Sequence, residues 1–425
     1  MSLSPNDRSI AGFTMAGHAL VHWFETSIPI FLVVWLTQFD VGVARLGIVV
    51  ALGYAPFGLG ALPGGILADR YGPRSIVLAC LGGMSLSFLV LAAANSIYAI
   101  AGGLILWGVA ASVYHPAGLA LISTGVEDRG TVFAYHGIAG NAGIALGPFV
   151  AATLLIFLKW SVVAAILAVP GILAVLYGIS ASFDPTAAVV DDAEAGPDEA
   201  LSLSDLVGNT RTLFASVFAA VFVLVTFEGL YYRGTLTYLP EILHGLPVIE
   251  SLALPAGLEG IQPADYIYVG LLVVGMAGQY AGGKLTKRVA PMQGLAGIFV
   301  VLAILALAFI PVTALESGLV PIVALCGALG FFLFAIQPFY QDAVAIYTPP
   351  DARGLSYGYT YLAEFGIGSL SIAIGGFVLG ELSQTAFFVL IAGFAVVGGL
   401  LAGALLVGGG RFGEIDEPLE ANADD

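Results

Sequence analysis

Residues 64–74 read GGILADRYGPR, and residues 282–288 read GGKLTKR. Each is a glycine pair running into charge at the end of an apolar run, and the two lie 218 residues apart. Other features recur at similar places. DRG (128–130) stands ahead of one apolar run and ARG (352–354) ahead of another, while HP (115–116) and QP (337–338) fall inside two more. Correspondences of this kind mark a chain built from two related halves. Outward from them, apolar runs lie near 11–37, 46–68, 75–95, 98–124, 131–157 and 161–182, then near 213–239, 266–283, 290–312, 317–348, 354–379 and 384–408. A hydrocarbon core about 30 Å thick takes about 20 residues to cross. The expected fold is an all-α integral membrane protein with twelve transmembrane helices in two six-helix pseudo-symmetric bundles. Residues 1–182 and 213–408 form the bundles, 183–212 an acidic linker and 409–425 an acidic tail.

Composition excludes a soluble protein. Only 10% of the 425 residues are charged, 59% are hydrophobic and mean hydropathy is +0.98, whereas soluble domains carry about 25% charge. Much of the net charge of −16 sits in 184–205 and 413–425, which lack an apolar face and are expected to be flexible. With 3 Lys, 10 Arg and 29 acids, the balance resembles that of proteins from salt-loving archaea; an acidic interaction tail is the competing reading. No basic patch points to nucleic acid. Cys80 and Cys326 fall inside apolar runs and are expected to pack as small hydrophobes. The opening MSLSPNDRSIAGF runs into a full-length helix, which reads as an anchored first span rather than a removed signal peptide.

The cations orient the spans. Arg8, Arg70, Arg74, Arg129, Arg211, Lys284, Lys287, Arg288, Arg353 and Arg411 share one side, against Arg45 and Lys159 on the other. Ten against two puts both termini and the linker in the cytoplasm of a multi-pass cell-membrane protein. Trp35 and Trp160 are expected at the outer headgroup level.

With Gly65, Leu67, Ala68, Asp69, Arg70, Gly72 and Arg74 matching G-x-L-A-D-R-x-G-x-R between spans two and three, the chain resembles the major facilitator superfamily. A narrower resemblance, to that family's fosmidomycin-resistance-like branch of efflux proteins, rests on Gly17, His18 and Pro29, on YHPAG (114–118) and on GIAGNAGIALGP (137–148). His22 departs from it, standing where the branch tends to carry Asp. The span-five motif (Gly143, Gly147, Pro148) approximates the family's exporter signature, with Ala134, Ala151 and Ala152 replacing expected glycines. Close packing without directional meaning is its alternative reading. Span four lacks the arginine usual in drug–proton exchangers of the family. The resemblance implies a cytoplasmic gate in which Asp69 caps the start of span eleven. Lys287, beside Arg288, occupies the matching place in the second half and cannot make that contact, so the gate is expected to be asymmetric. Gly65 and Gly72 are expected to allow close helix approach and a tight turn.

Charges inside spans each cost roughly 2.5–3.5 kcal/mol if they face lipid, so they mark function by default. Glu25, Glu228, Asp342 and Glu364 are such residues, with Arg233 nearer the outer end. Phe24-Glu25 and Phe227-Glu228 each fall twelve residues before an outer helix end, so the glutamates read as pseudo-symmetric partners. His18, His22 and Glu25 share a helix face, as do Tyr357, Tyr361 and Glu364, and as do Glu228, Tyr231 and Tyr232. Span ten adds Phe339, Tyr340, Gln341 and Asp342. Three readings stand for the span-one cluster: proton coupling with solute contact, a satisfied structural network, or a transition-metal pair that His115 could approach. His136 and His244 read as incidental, and Arg233 as either an anion contact or a snorkelling residue.

The expected function is secondary active transport of a small solute by alternating access, coupled to protons, with efflux favoured. Sodium is the alternative ion. An uptake symporter of a small organic anion or metabolite, or a non-transporting membrane sensor, is the alternative function. The expected partners are the solute, the coupling ion and the lipid bilayer, with a monomeric chain and no cofactor. No nucleophile–base constellation or phosphate loop suggests an enzyme.

Overall fold

The computed structural model describes residues 3–188, 203–252, 262–314, 318–348 and 353–408, without the side chains of 203–206 and 353–354. Residues 189–202, 253–261, 315–317, 349–352 and 409–425, and with them Arg411 and the Arg353 side chain, lie outside the described residues.

Every regular element among the described residues is a helix. In the first half, α1 (Pro5–Gln38), α2 (Val43–Leu59), α3 (Ala61–Tyr71), α4 (Pro73–Ala92), α5 (Ile97–Ser112), α6 (Tyr114–Gly125), α7 (Arg129–Leu155) and α8 (Trp160–Ser180) form six spans. α2 and α3 make one span bent by 48°, and α5 and α6 another. In the second half, α9 (Leu203–Phe214) precedes α10 (Phe218–His244), the short α11 (Pro247–Glu250), α12 (Pro263–Leu285), α13 (Pro291–Ala314), α14 (Leu319–Tyr347), α15 (Arg353–Tyr361), α16 (Leu370–Glu381) and α17 (Gln384–Gly408). A π-helical turn, Leu362–Ile367, joins α15 to α16 within span eleven.

Nine spans among the described residues are long and apolar enough to cross a bilayer, and two bent pairs raise the number to eleven. The twelfth rod is α12, whose 23 residues rise about 34 Å, enough for the crossing. Glu228, Arg233 and Glu241 lower the hydropathy of α10, which counts only together with α9, set at 85° to it.

Small residues set how closely the helices approach. A Cβ on Gly143 or Gly147 would run into the backbone carbonyl of Ala19 or Trp23, so the span-five motif is the smooth face on which α1 lies against α7. Thr26 Oγ1 then reaches across to the Ile144 carbonyl at 3.0 Å. Between the halves, Gly58 meets Gly366, and Gly47 meets Gly376, packing α2 along span eleven. In the 64–74 stretch, Gly72 takes φ +81°, a left-handed turn that suits glycine. Close approach falls to Gly64 rather than Gly65: a Cβ there would sit 3.1 Å from Pro116 and Val113, whereas one on Gly65 would have ordinary clearance.

The side remote from the termini is closed. Residues 24–32 of α1 and 228–240 of α10 are buried on every face. Ala44 lies against Gly380, and Thr153 Oγ1 bonds the Tyr266 hydroxyl at 3.1 Å, so both lines of contact between the halves touch there. Nearer the termini α1 keeps half-exposed positions, including His18, Ala19, His22 and Trp23.

Trp35, near the end of α1, and Trp160, which opens α8, are both buried, edge to face at 6.0 Å, in a cluster with Phe31 and Phe39. One expectation is corrected: the linker is not featureless. Asn6 bonds the Gly125 and Asp184 carbonyls and accepts from Asp184 N–H, Thr124 bonds the Pro185 carbonyl, and α9 docks on span eleven through Thr210 and Tyr359. Cys80 and Cys326 are buried and free.

Candidate functional site

Where α1, α6, α7, α10 and span eleven converge, the charged residues of the apolar runs divide into two groups. In the first, Glu25 of α1 ion-pairs with Arg233 of α10, a bridge between the two halves buried to 3% and 4% exposure. Arg233 does not snorkel. Its guanidinium lies 4.1 Å from the Phe365 ring centre, 5.1 Å from Tyr232 and 5.3 Å from Tyr54. Desolvated cation–π contacts of this kind are worth about 2 kcal/mol each. Tyr54 also donates to the Glu25 carbonyl at 2.7 Å, which fixes the backbone below the carboxylate.

A chain of imidazoles continues from Glu25. His22 Nδ1 lies 2.6 Å from Glu25 Oε2, His22 Nε2 lies 3.1 Å from His18 Nε2, and His18 Nδ1 lies 2.8 Å from the His136 carbonyl. His136 stacks on His18 with ring centres 3.9 Å apart, and its Nε2 meets the Tyr114 hydroxyl at 3.2 Å. Tyr114 in turn donates to the Thr14 carbonyl. His115 lies edge-on to His18 at 5.3 Å and stacks on Tyr361 of the opposite half at 4.7 Å. Four histidines therefore share one cluster, and His136 belongs to it rather than being incidental.

The second group is acidic. Glu228 is 1% exposed, and neither carboxyl oxygen has a hydrogen-bond partner among the described residues. Gly229 lets α10 approach the backbone of Glu364, which sits in the π turn and accepts from Tyr340 Oη at 2.8 Å. Such turns are frequent at functional sites.

Other expected site residues lie elsewhere. Tyr231 points away from the centre to bond the Leu302 carbonyl at 2.9 Å. Asp342 is half-buried on α14, and Tyr357 is exposed on α15, one turn before Tyr361. In the loop set, Arg74 caps the end of α8 through the carbonyls of Gly178, Ile179 and Ala181 and lies over Phe183. Asp69, Arg70, Lys287 and Arg288 are exposed, and α3 meets α15 where Leu62 faces Gly358. His244 pairs with Asp265 at 2.8 Å on the far side. The sequence reading missed Tyr54, Phe365, Tyr114 and His136, and also Phe57, whose ring packs edge-on against Phe365 at 4.5 Å rather than on the cation itself. For His136 a signal existed: with Gly140, Gly143 and Gly147 it follows i, i+4, i+7, i+11 and shares their face.

Two six-helix bundles clasped around a buried charge bridge define a membrane transporter. The profile of the Major Facilitator Superfamily matches residues 14–371, and the chain belongs to that family. No curated relative matches it. Among solved structures it is similar to the nucleoside transporter NupG, at 16% identity and TM-score 0.73, covering 93% of this chain and 99% of that one. A bacterial homolog of the human lysosomal transporter Spinster, inward-facing and occupied, gives 15% and 0.72 over 96% and 98%. The peptide transporter POT in complex with sulfate gives 15% and 0.72 over 95% of each chain. At these identities the likeness is one of fold.

Proposed function

We propose that the protein is a secondary active transporter that moves a small solute across the cell membrane by alternating access, driven by protons, with efflux the favoured direction. The observation that carries this reading is the Glu25–Arg233 bridge, one charge from each half, enclosed between them. Rocking the halves apart strains this pair, and a solute that competes for either partner lowers the cost of separation. Glu228 supplies the coupling. An ionised carboxylate without partners is costly in a dry interior, so Glu228 carries a proton while enclosed and releases it when its side opens to water.

Efflux is supported by the span-five motif and by the likeness of spans one, four and five to the fosmidomycin-resistance-like branch. The excess of cations on the terminal side supports cytoplasmic termini. The acidic composition supports a salt-loving archaeal source, in which sodium is the alternative coupling ion. The chain is proposed to act as a monomer, with Asp69 gating the cytoplasmic side against span eleven. A second reading, uptake of a small organic anion, is supported by Arg233, whose Nε lacks a partner among the described residues. The test is flux into proteoliposomes across an imposed pH gradient, screened over metabolites and drugs. Wild type is expected to move at least one solute and to change internal pH with it, while Glu228→Gln exchanges solute but loses the pH dependence. If wild type moves none and internal pH never responds, the reading fails.

A further inference from the structure

We infer that His18, His22 and His115 form a binding site for one divalent first-row transition metal, of the kind that prefers imidazole. The ligand atoms of these three residues all lie within 4.8 Å of one another. Proximity alone would be weak evidence; the hydrogen bonds behind the rings carry the inference.

The His136 carbonyl can only accept, so His18 must present Nδ1–H to it at 2.8 Å. Glu25, paired with Arg233, is an ionised acceptor, so His22 must present Nδ1–H to it at 2.6 Å. In the neutral rings both lone pairs are then on Nε2, and these two nitrogens face each other at 3.1 Å. Facing lone pairs repel unless a cation lies between them, either a proton shared as an N–H···N bond or a metal ion, and the third imidazole beside the pair favours the metal. Two nitrogens bound to one tetrahedral Zn²⁺ at about 2.0–2.1 Å are about 3.3–3.4 Å apart, close to this separation. A carboxylate behind one ligating imidazole and a backbone carbonyl behind another is also the outer shell that metal-binding histidines use to fix tautomer and direction.

His115 completes a three-nitrogen set from a second helix. The fourth tetrahedral position is left for water or a donor atom of a solute, and His18 and His22 are half-exposed, which gives an ion a way in. Nitrogen ligands without a thiolate favour Zn²⁺, Co²⁺, Ni²⁺ or Cu²⁺ over Mg²⁺ or Ca²⁺. Because His115 also stacks on Tyr361, capture of the metal would tug on the contact between the halves.

The test is titration of purified, tag-free protein in detergent with Co²⁺ alone, read by its visible absorption and by competition with a chromophoric chelator. Wild type is expected to take one Co²⁺ per chain with the intense bands of a four-coordinate site. His18→Ala, His22→Ala and His115→Ala should each weaken binding at least tenfold, while His244→Ala leaves it unchanged. Helix content by circular dichroism checks that each variant is folded, and the wild-type spectrum decides the matter even where one is not. Absence of a stoichiometric ion, a weak octahedral spectrum, or binding that survives His115→Ala in folded protein would overturn the site. Binding is read without flux, so its failure leaves the transport reading standing, and a failed flux assay leaves the metal site standing.

Discussion

Glu25 and Glu228 each follow a phenylalanine, each sit in the first span of a half, and each are almost fully buried, yet their surroundings are opposite. Glu25 is saturated: Arg233 on one oxygen, His22 on the other. Glu228 has no hydrogen bond at all among the described residues. The difference teaches that a shared sequence neighbourhood fixes neither place nor partners: α10 runs past Pro240 to His244, so Glu228 lies farther from its helix end than Glu25 does, against the expectation of equal depth. The second half supplies the cation for the first half's acid and leaves its own acid without a partner among the described residues.

The largest effect should come from cutting the bridge. Arg233→Ala strands Glu25 as a buried charge, a change that costs about 3–5 kcal/mol. Thermal unfolding in detergent should therefore drop sharply. Glu25→Gln with Arg233→Gln should recover much of the loss, since neither charge is then stranded. Single and double variants that add within about 0.5 kcal/mol would mean that the two charges are uncoupled, and the contrast with Glu228 would collapse.

Next comes a change of opposite sign. Glu228→Leu removes an unpartnered polar group, so it should stabilise the protein by about 1–3 kcal/mol while abolishing pH-driven flux. Destabilisation on the scale of the Arg233 variant would show that Glu228 is as well held as Glu25. A smaller loss, about 1–3 kcal/mol, is expected for Gly143→Ala, whose methyl group meets the Ala19 carbonyl and pushes α1 off α7. It should also weaken the His18–His136 contact, visible as a shift in the histidine NMR signals. The Glu228 group should be unaffected.

The sequence made the loud features legible and left the quiet ones hidden. Twelve helices and two halves follow from apolar run length and repetition, because a bilayer tolerates little else. Glu25, Glu228, Glu364 and Arg233 stand out because a charge in an apolar run is rare. Which charge meets which was not legible. Helical periodicity gives the face of one helix, not the depth at which another crosses it, so Glu25 could be matched to Glu228 in kind while its contact is Arg233. The shift of close packing from Gly65 to Gly64 is one residue, yet one residue turns a helix face by about 100°. Tyr54, Phe57 and Phe365 are hidden among 17 tyrosines and 26 phenylalanines, where no pattern separates a core ring from one that cradles a cation. The π turn at Glu364 leaves no signature, since the backbone of Gly229 pressing on it is a tertiary event.

The smallest effects should separate two neighbours on α14. Tyr340 donates to Glu364 in the centre, while Asp342 is half-buried outside both groups. Tyr340→Phe removes one hydrogen bond to an acid and should cost about 1–2 kcal/mol, leaving Glu364 Oε2 without that donor. Asp342→Asn changes a half-buried side chain on the other face of the helix and should stay within about 0.5 kcal/mol, with flux intact. The two positions lie about 200° apart around the helix, so they report on opposite faces. Loss of flux in Asp342→Asn with Tyr340→Phe silent would put the solute path on the other face of span ten. The acidic group would then be structural, and the asymmetry between the halves would need a different cause.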